Sequence, residues 1–305
     1  MSDIQFDGRV ALVTGAGGGL GRSHALLFGS RGAKVVVNDL GGNTDGTGSG
    51  TTMADKVVAE IAAKGGEAIA NYDSVDTWEG GEKMIQAAVA AFGRLDIVVN
   101  NAGILRDKSI AKMTQDEWTR VLEVHLNGSY YVTRAALPAM RQNNYGRVIF
   151  TTSAAGLYGN FGQANYSAAK LGIVGLMNTV KLEGQKFNVV ANTIAPIAKS
   201  RLMGTVMDEQ TMDKLKPEFV SAMVAFLCSE QNTFTGGIFT AGGGHYARAA
   251  MVESPGVTLG IDQIPSVEQI AASFPQIADL TDAQEYPSAG ANVPKLMAGL
   301  FGKKL

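Results

Sequence analysis

Short runs of apolar, largely β-branched residues alternate along the chain with longer stretches in which apolar positions recur every three or four residues. The short runs cover residues 10–14, 34–38, 67–71, 96–100, 147–151, 189–194 and 237–240. Runs of this length with few polar interruptions predict strands buried on both faces. The longer stretches, at 51–64, 78–92, 114–141, 164–185 and 217–229, predict amphipathic helices. Strands joined through helical crossovers pair in parallel, with right-handed connections and helices on both faces. The prediction is an α/β fold: a doubly wound seven-stranded parallel sheet over residues 1–245, followed by a C-terminal extension over 246–305.

Two segments break the rhythm. Residues 41–50 form a long glycine-rich insert between the second strand and its helix. The extension carries Pro255, Pro265, Pro275, Pro287 and Pro294 and shows little periodicity.

Composition narrows the class. A chain of 305 residues with 46% hydrophobic side chains can bury a large core. A net charge of −2 and a pI near 6.0 give no reason to expect nucleic acid or a membrane as partner. Cys228 is the single cysteine, so no intrachain disulfide forms and a reducing compartment is expected. Its apolar neighbours mark it as a core residue. The first eight residues lack the apolar run of a signal peptide, and no stretch nears the ~20 apolar residues that span a bilayer. The C-terminal Lys303-Lys304-Leu305 shares two residues with a peroxisomal S-K-L signal, so the expected location is cytoplasmic. No metal is expected.

Candidate chemistry begins where the first strand runs into Gly15-Ala16-Gly17-Gly18-Gly19-Leu20-Gly21. A strand, a glycine turn and a helix N-terminus offer free N–H groups to a pyrophosphate at close backbone approach. The G-x-G-x-x-G spacing fails because Leu20 stands at the third glycine; T-G-x-x-x-G-x-G fits, with Thr14, Gly15, Gly19 and Gly21. Asp39 ends the second strand, eighteen residues after Gly21. A carboxylate there accepts from adenosine ribose hydroxyls and repels a 2′-phosphate, favouring NAD over NADP. The insert at 41–50 is expected beside the adenosine. Further along, Tyr166 and Lys170 lie four apart on a predicted helix and share one face, with Ser153 thirteen residues earlier. A nearby ammonium stabilises phenolate, which predicts a tyrosine pKa below ~10 and a phenol able to exchange a proton with a substrate oxygen.

Thr14-Gly15-x3-Gly19-x-Gly21, Asn100-Asn101-Ala102-Gly103, Ser153 and Tyr166-x3-Lys170 together resemble the short-chain dehydrogenases/reductases, from about residue 6 to about 244. Val36-Val37-Asn38-Asp39-Leu40-Gly41-Gly42 and Gly159-Asn160-Phe161-Gly162-Gln163-Ala164-Asn165-Tyr166 are similar to the (3R)-hydroxyacyl-CoA dehydrogenase domains of peroxisomal multifunctional type 2 enzymes and their bacterial single-domain relatives. The resemblance implies a Rossmann fold and an NAD-linked oxidation of a (3R)-3-hydroxyacyl-CoA. It implies Tyr166 as general acid/base, Lys170 as its partner on the nicotinamide ribose, and Ser153 as hydrogen-bond donor to the substrate oxygen. Gly15, Gly19, Leu20, Gly21, Asp39, Asp73, Val75, Asn101, Ala102, Gly103 and Pro196 become cofactor contacts, with Tyr166 and Lys170. The family's relay asparagine stands three residues before a glycine; here that position is His125, before Gly128, while Asn127 is misplaced. His125 is either a replacement relay group, since neutral imidazole donates and accepts, or a buried structural histidine. Pro196-Ile197 departs from the usual Pro-Gly.

Arg106, Lys108, Lys199 and Arg201 are candidates for CoA phosphates or solvated charges, and Met203, Met207 and Met212 would line a lid. A steroid or aromatic hydroxyacyl-CoA, an NADPH-dependent 3-oxoacyl reduction, and a non-catalytic binding subunit remain alternatives. The helices at 114–141 and 164–185 resemble the surfaces through which this family forms homodimers and homotetramers. The resemblance implies that the C-terminal extension packs across a neighbouring subunit and helps wall its substrate cavity; the alternative is a loosely packed surface tail.

Overall fold

The computed structural model describes residues 3–197, 214–260, 263–295 and 297. They divide into two compact units, Met1–Arg248 and Ala249–Leu305.

In the larger unit the predicted strands form as β1 (Val10–Thr14), β2 (Lys34–Asn38), β3 (Glu67–Asn71), β4 (Ile97–Asn100), β5 (Gly146–Thr151), β6 (Val189–Pro196) and β7 (Ile238–Gly242). All seven pair in parallel, in the order β3-β2-β1-β4-β5-β6-β7. The order reverses between β1 and β4, the switch point at which α/β sheets open a crevice above their strand ends. Alternation along each strand supplies both faces. Ala11, Val13, Val35 and Val37 join a core with α1 (Gly19–Ser30), α2 (Thr52–Ala63) and α8 (Pro217–Cys228). Cys228 lies in that core, and burial pushes its thiol up. The other face meets α3 (Trp78–Phe92), α5 (Gly128–Gln142) and α7 (Ala164–Gly184), which pack on one another.

The sheet has one strand more than expected. Gly243 and Gly244, at φ +56° and +79°, turn the chain into β8 (His245–Ala249) beside β7. A two-residue glycine turn joins antiparallel neighbours, so the added strand closes the edge as a hairpin.

The predicted helix at 114–141 is not continuous. α4 (Gln115–Leu122) opens with a Thr114/Glu117 capping box and passes into a π turn at Glu123–Asn127 before α5 begins. In the smaller unit Ser266 and Gln269 form a second capping box on α9 (Val267–Ala278), a helix the periodicity reading leaves out. No helix of the described residues is long and apolar enough to cross a membrane.

Candidate active site

The dinucleotide end is assembled at the switch point. α1 starts at Gly18 with no side-chain cap and no acidic residue in its first turn, so its first N–H groups stay open to an anion. Gly15 (φ +62°) makes the turn, and Gly21 lets the helix close on the strand: a Cβ there would sit 2.1 Å from the Gly15 carbonyl oxygen. Thr14 fastens β1 to β4. Its hydroxyl accepts from the N–H groups of Asn101 and Ala102 at 3.0 Å, while the Asn101 amide donates to the carbonyls of Thr14 (3.0 Å) and Gly15 (3.1 Å). Asp39 accepts from the Gly17 and Gly41 N–H groups, each at 2.7 Å. Both its oxygens keep lone pairs for further donors.

A cavity of about 290 Å³ follows, walled by Gly15, Asp39, Asp73, Val75, Asn101, Ala102 and Gly103 and by Gly42, Asn43, Thr44 and Gly46 of the insert. Of the expected cofactor contacts, Gly19, Leu20, Gly21, Tyr166, Lys170 and Pro196 do not line it. Gly19 faces open space at φ +50°, Leu20 packs against the core, Gly21 sets the helix-to-strand spacing, and Pro196 ends β6. Asn38 and Asn71 shape this end from below: the Asn38 amide donates to the Asn71 side chain (2.7 Å) and the Asp73 carbonyl (2.9 Å), and Asn71 donates to the Asp73 carboxylate (2.8 Å).

The Ser153, Tyr166 and Lys170 side chains gather around the first turns of α7. Ser153, two residues past β5, is the N-cap of α6 (Ala154–Tyr158), accepting from the Ala155 N–H at 3.2 Å, and its hydroxyl lies near enough to the Tyr166 phenol to favour the phenolate. Lys170 is 3% exposed; its ammonium donates to the Thr151 carbonyl at 2.7 Å and lies 5.4 Å from the Tyr166 ring centroid. Gly156 permits this: a Cβ there would sit 2.7 Å from the Lys170 Cβ. Burial pulls the Lys170 ammonium from its ordinary 10.5 down to about 7.

Tyr166 does not follow the expected fall. Burial pushes its phenol above the ordinary 10.0; the Ser153 hydrogen bond opposes this and the Asp107 carboxylate adds to it. Lys170 offsets little of this, because burial brings its own ammonium down to about 7 and its N–H is directed at the Thr151 carbonyl.

His125 sits in the π turn, edge-on to Tyr166 with ring centroids 5.2 Å apart. Its Nε2 lies 2.8 Å from the Ile104 carbonyl and 3.1 Å from the Ile104 N–H. The shorter contact favours the tautomer that donates from Nε2, which leaves Nδ1, buried and without a protein partner, as an acceptor. Burial, then the Lys170 charge, hold His125 well below 6.5 against the opposing Ile104 bond, so the ring is neutral at working pH. His125→Leu is expected to lower turnover about tenfold or more and His125→Asn to retain most of it, as steady-state kinetics of the two variants would show.

Comparison with known proteins now bears on this geometry. The sequence profile of the family described as short chain dehydrogenase matches residues 9–211. The chain belongs to the short-chain dehydrogenase family. It is 51% identical to mouse peroxisomal multifunctional enzyme type 2 over 285 residues, covering 93% of this chain and 38% of that protein. It is also 51% identical, over 276 residues, to a short-chain type dehydrogenase/reductase of Mycobacterium tuberculosis, covering 90% of this chain and 96% of that one. The solved full-length peroxisomal multifunctional enzyme type 2 of Drosophila melanogaster superimposes with a TM-score of 0.83 at 39% identity, over 97% of this chain and 50% of that chain. The chain thus spans from about a third to two thirds of the multifunctional relatives it matches.

A short-chain dehydrogenase is an oxidoreductase acting on CH–OH groups with a nicotinamide nucleotide. Other sequence candidates divide. Arg106 is ion-paired with Asp116 and donates to the Asp45 carbonyl at 2.9 Å, so it is occupied within the fold. Lys108 is exposed, whereas Lys199, Arg201, Met203, Met207 and Met212 lie outside the described residues. Among the described residues no cluster of His, Cys, Asp and Glu could hold a metal ion. Two residues of this short-chain dehydrogenase escape sequence reading: Gln163 and Asn165, 1% and 0% exposed, flank Tyr166 from positions that look like helix surface.

Proposed function

We propose that the chain is an NAD-dependent (3R)-hydroxyacyl-CoA dehydrogenase. The observation that carries this is the gathering of Ser153 and the Lys170 ammonium on Tyr166, which packs edge-on to His125, whose partner Ile104 lines the cavity walled by Asp39. The likeness to the multifunctional type 2 enzymes over almost the whole chain supports the substrate class.

NAD, when bound, supplies the acceptor for the hydride leaving C3. Gly15, Gly19 and the uncapped start of α1 would hold its pyrophosphate, Asp39 its adenosine ribose, and Asp73 and Val75 its adenine edge. Asn101, Ala102, Gly103 and Pro196 border the path to the nicotinamide. The bare α1 end and the open face at Gly19 fit such a group. On the substrate side, the Tyr166 phenolate takes the proton of the 3-hydroxyl as the C3–H pair departs. Ser153 donates to the same oxygen and holds it in line. Lys170, beside the Tyr166 ring, would donate to the nicotinamide ribose, and His125 Nδ1 would accept from a relay water or hydroxyl.

NAD is favoured over NADP by charge. Asp39, Asp73 and Asp76 face the cavity, and among the described residues its one lining cation, Arg120, is already held by Asp76 at 2.8 Å and Glu123 at 2.7 Å. A 2′-phosphate there meets carboxylates without a free cation. Asp39→Ser is expected to move the NADH-to-NADPH affinity ratio about tenfold or more towards NADPH, on the order of 1.4 kcal/mol. Calorimetric titration of both cofactors checks it.

The reading includes a homodimer or homotetramer, supported by Tyr130 on α5 and Leu171 and Leu182 on α7, all large and exposed. It also assigns the Ala249–Leu305 unit to cover a neighbouring subunit's cavity, and places the enzyme in the cytoplasm. A panel of (3R)- and (3S)-hydroxyacyl-CoA esters, steroid alcohols and aromatic hydroxyacyl-CoA esters, followed by NADH absorbance, tests the function. Preference for a steroid, for NADPH, or no turnover at all would replace it.

A further inference from the structure

Asn165 reaches no reacting atom, yet it is fully buried beside the catalytic tyrosine. Its amide donates to the carbonyls of Arg106 (3.0 Å) and Glu117 (2.8 Å), and its side-chain oxygen accepts the Tyr166 N–H at 2.7 Å. Gln163 adds a second tie, donating to the Asp107 carboxylate at 2.9 Å, while the Lys108 N–H donates to the Gly162 carbonyl at 2.8 Å. The start of α7 is therefore clasped to residues 104–108 by side chains and backbone.

The same strip is held from elsewhere by the insert at 41–50. The Leu105 N–H donates to the Thr44 carbonyl at 3.0 Å, and Arg106 Nε donates to the Asp45 carbonyl at 2.9 Å. Gly46 approaches so closely that a Cβ would lie 3.1 Å from the Ile104 side chain. Ile104 in turn carries both contacts to His125. The insert is folded on itself, with Gly50 N–H on the Leu40 carbonyl (2.8 Å) and Asn43 N–H on the Thr47 carbonyl (2.7 Å), and four of its residues wall the cavity.

We propose that the insert, the strip 104–108 and Asn165 form one positioning unit, through which a ligand at the adenosine end of the cavity sets the placement of Tyr166. This rests on the dinucleotide reading above. A glycine-rich loop has conformational freedom to lose, and a ligand on its wall removes it. Hydrogen bonds carry the ordering along the strip to Asn165 and onto the first turn of α7. Asn165 is a positioning residue: it acts on the phenol through the backbone of Tyr166. Binding energy from the half of the cofactor remote from the chemistry then appears as rate rather than affinity.

The cofactor can be divided to test this. The full-length protein is assayed with nicotinamide mononucleotide as hydride acceptor and a (3R)-3-hydroxyacyl-CoA as donor, with and without AMP. In the wild type, saturating AMP is expected to raise turnover about tenfold or more, although it takes no part in the reaction. In Asn165→Ala, AMP is expected to bind with a dissociation constant within about threefold by calorimetry, yet to raise turnover less than about twofold. With intact NAD, the same variant is expected to lose kcat about tenfold with little change in the KM for NAD. Equal AMP activation in both proteins overturns the proposal. So does AMP that binds the wild type without activating it while NAD turnover is normal, a result that leaves the NAD reading standing. Absence of both AMP binding and NAD turnover removes both. Should Asn165→Ala fail to fold, Arg106→Ala decides: it removes the contact to Asp45 at a partly exposed site, and retained AMP activation would overturn the proposal.

Discussion

Tyr166→Phe is expected to lower turnover about 10³-fold, within the 10²–10⁴ range for a general acid–base group, while NADH binding stays unchanged. The phenylalanine keeps the ring that packs edge-on against His125 and beside Lys170, so the pocket retains its shape. What disappears is the phenol oxygen, which lies beside the Ser153 hydroxyl and in the proposed reaction receives the substrate proton. Because that phenol is held above its ordinary value by burial, the residual wild-type dependence has a definite sign: oxidation accelerates as pH rises, since phenolate is the active base, and reduction slows. Stopped-flow turnover beside a fluorescence titration of NADH separates the two quantities. Turnover within tenfold of wild type would move the acid–base role elsewhere.

Gly21→Ala is expected to cause the second large effect, on structure and cofactor together. The added methyl would stand 2.1 Å from the Gly15 carbonyl oxygen and 2.6 Å from the Asn101 amide nitrogen. Neither is the far end of a flexible chain: the first is backbone in a left-handed turn, and the second already bonds Thr14 and Gly15. Relief requires α1 to withdraw from β1, which moves the pyrophosphate-facing N–H groups. Overpacking of this kind costs about 1–3 kcal/mol of stability. Loss of the turn geometry is expected to weaken NADH about 100-fold, roughly 2.7 kcal/mol. Thermal melts with and without NADH measure both losses; a variant with wild-type melting and binding would contradict the assignment of Gly21 to helix–strand closure.

Much of this was legible in the sequence because it is local. The seven parallel strands announce themselves as short apolar runs, and the glycine loop, Asp39, Ser153 and the Tyr166–Lys170 pair are recognisable by spacing. The exceptions depend on contacts distant in sequence. The π turn at His125 interrupts a pattern that reads as one helix, and its meaning comes from Ile104, twenty-one residues away. Lys170 looks like a cation able to depress Tyr166; only packing shows that its charge is desolvated. Asn165 and Gln163 read as polar helix-surface residues, and their burial follows from the strip 104–108, which carries no periodicity. β8 (His245–Ala249) straddles residue 246, where the sequence reading begins the extension, and the glycine turn before it carries no strand signal. The Ser266/Gln269 capping box of α9 was visible in principle, but the prolines around it, Pro275 inside the helix included, drew the reading towards an irregular extension.

The central claim concerns where one hydrogen goes. The direct test is to incubate the protein with NAD and a (3R)-3-hydroxyacyl-CoA carrying deuterium at C3, then analyse the cofactor by mass spectrometry. The expected result is one deuterium in NADH, matched by formation of 3-oxoacyl-CoA, with none transferred from the (3S) ester and none in Tyr166→Phe. Deuterium retained in the thioester, lost to water, or transferred equally from both enantiomers would contradict the account.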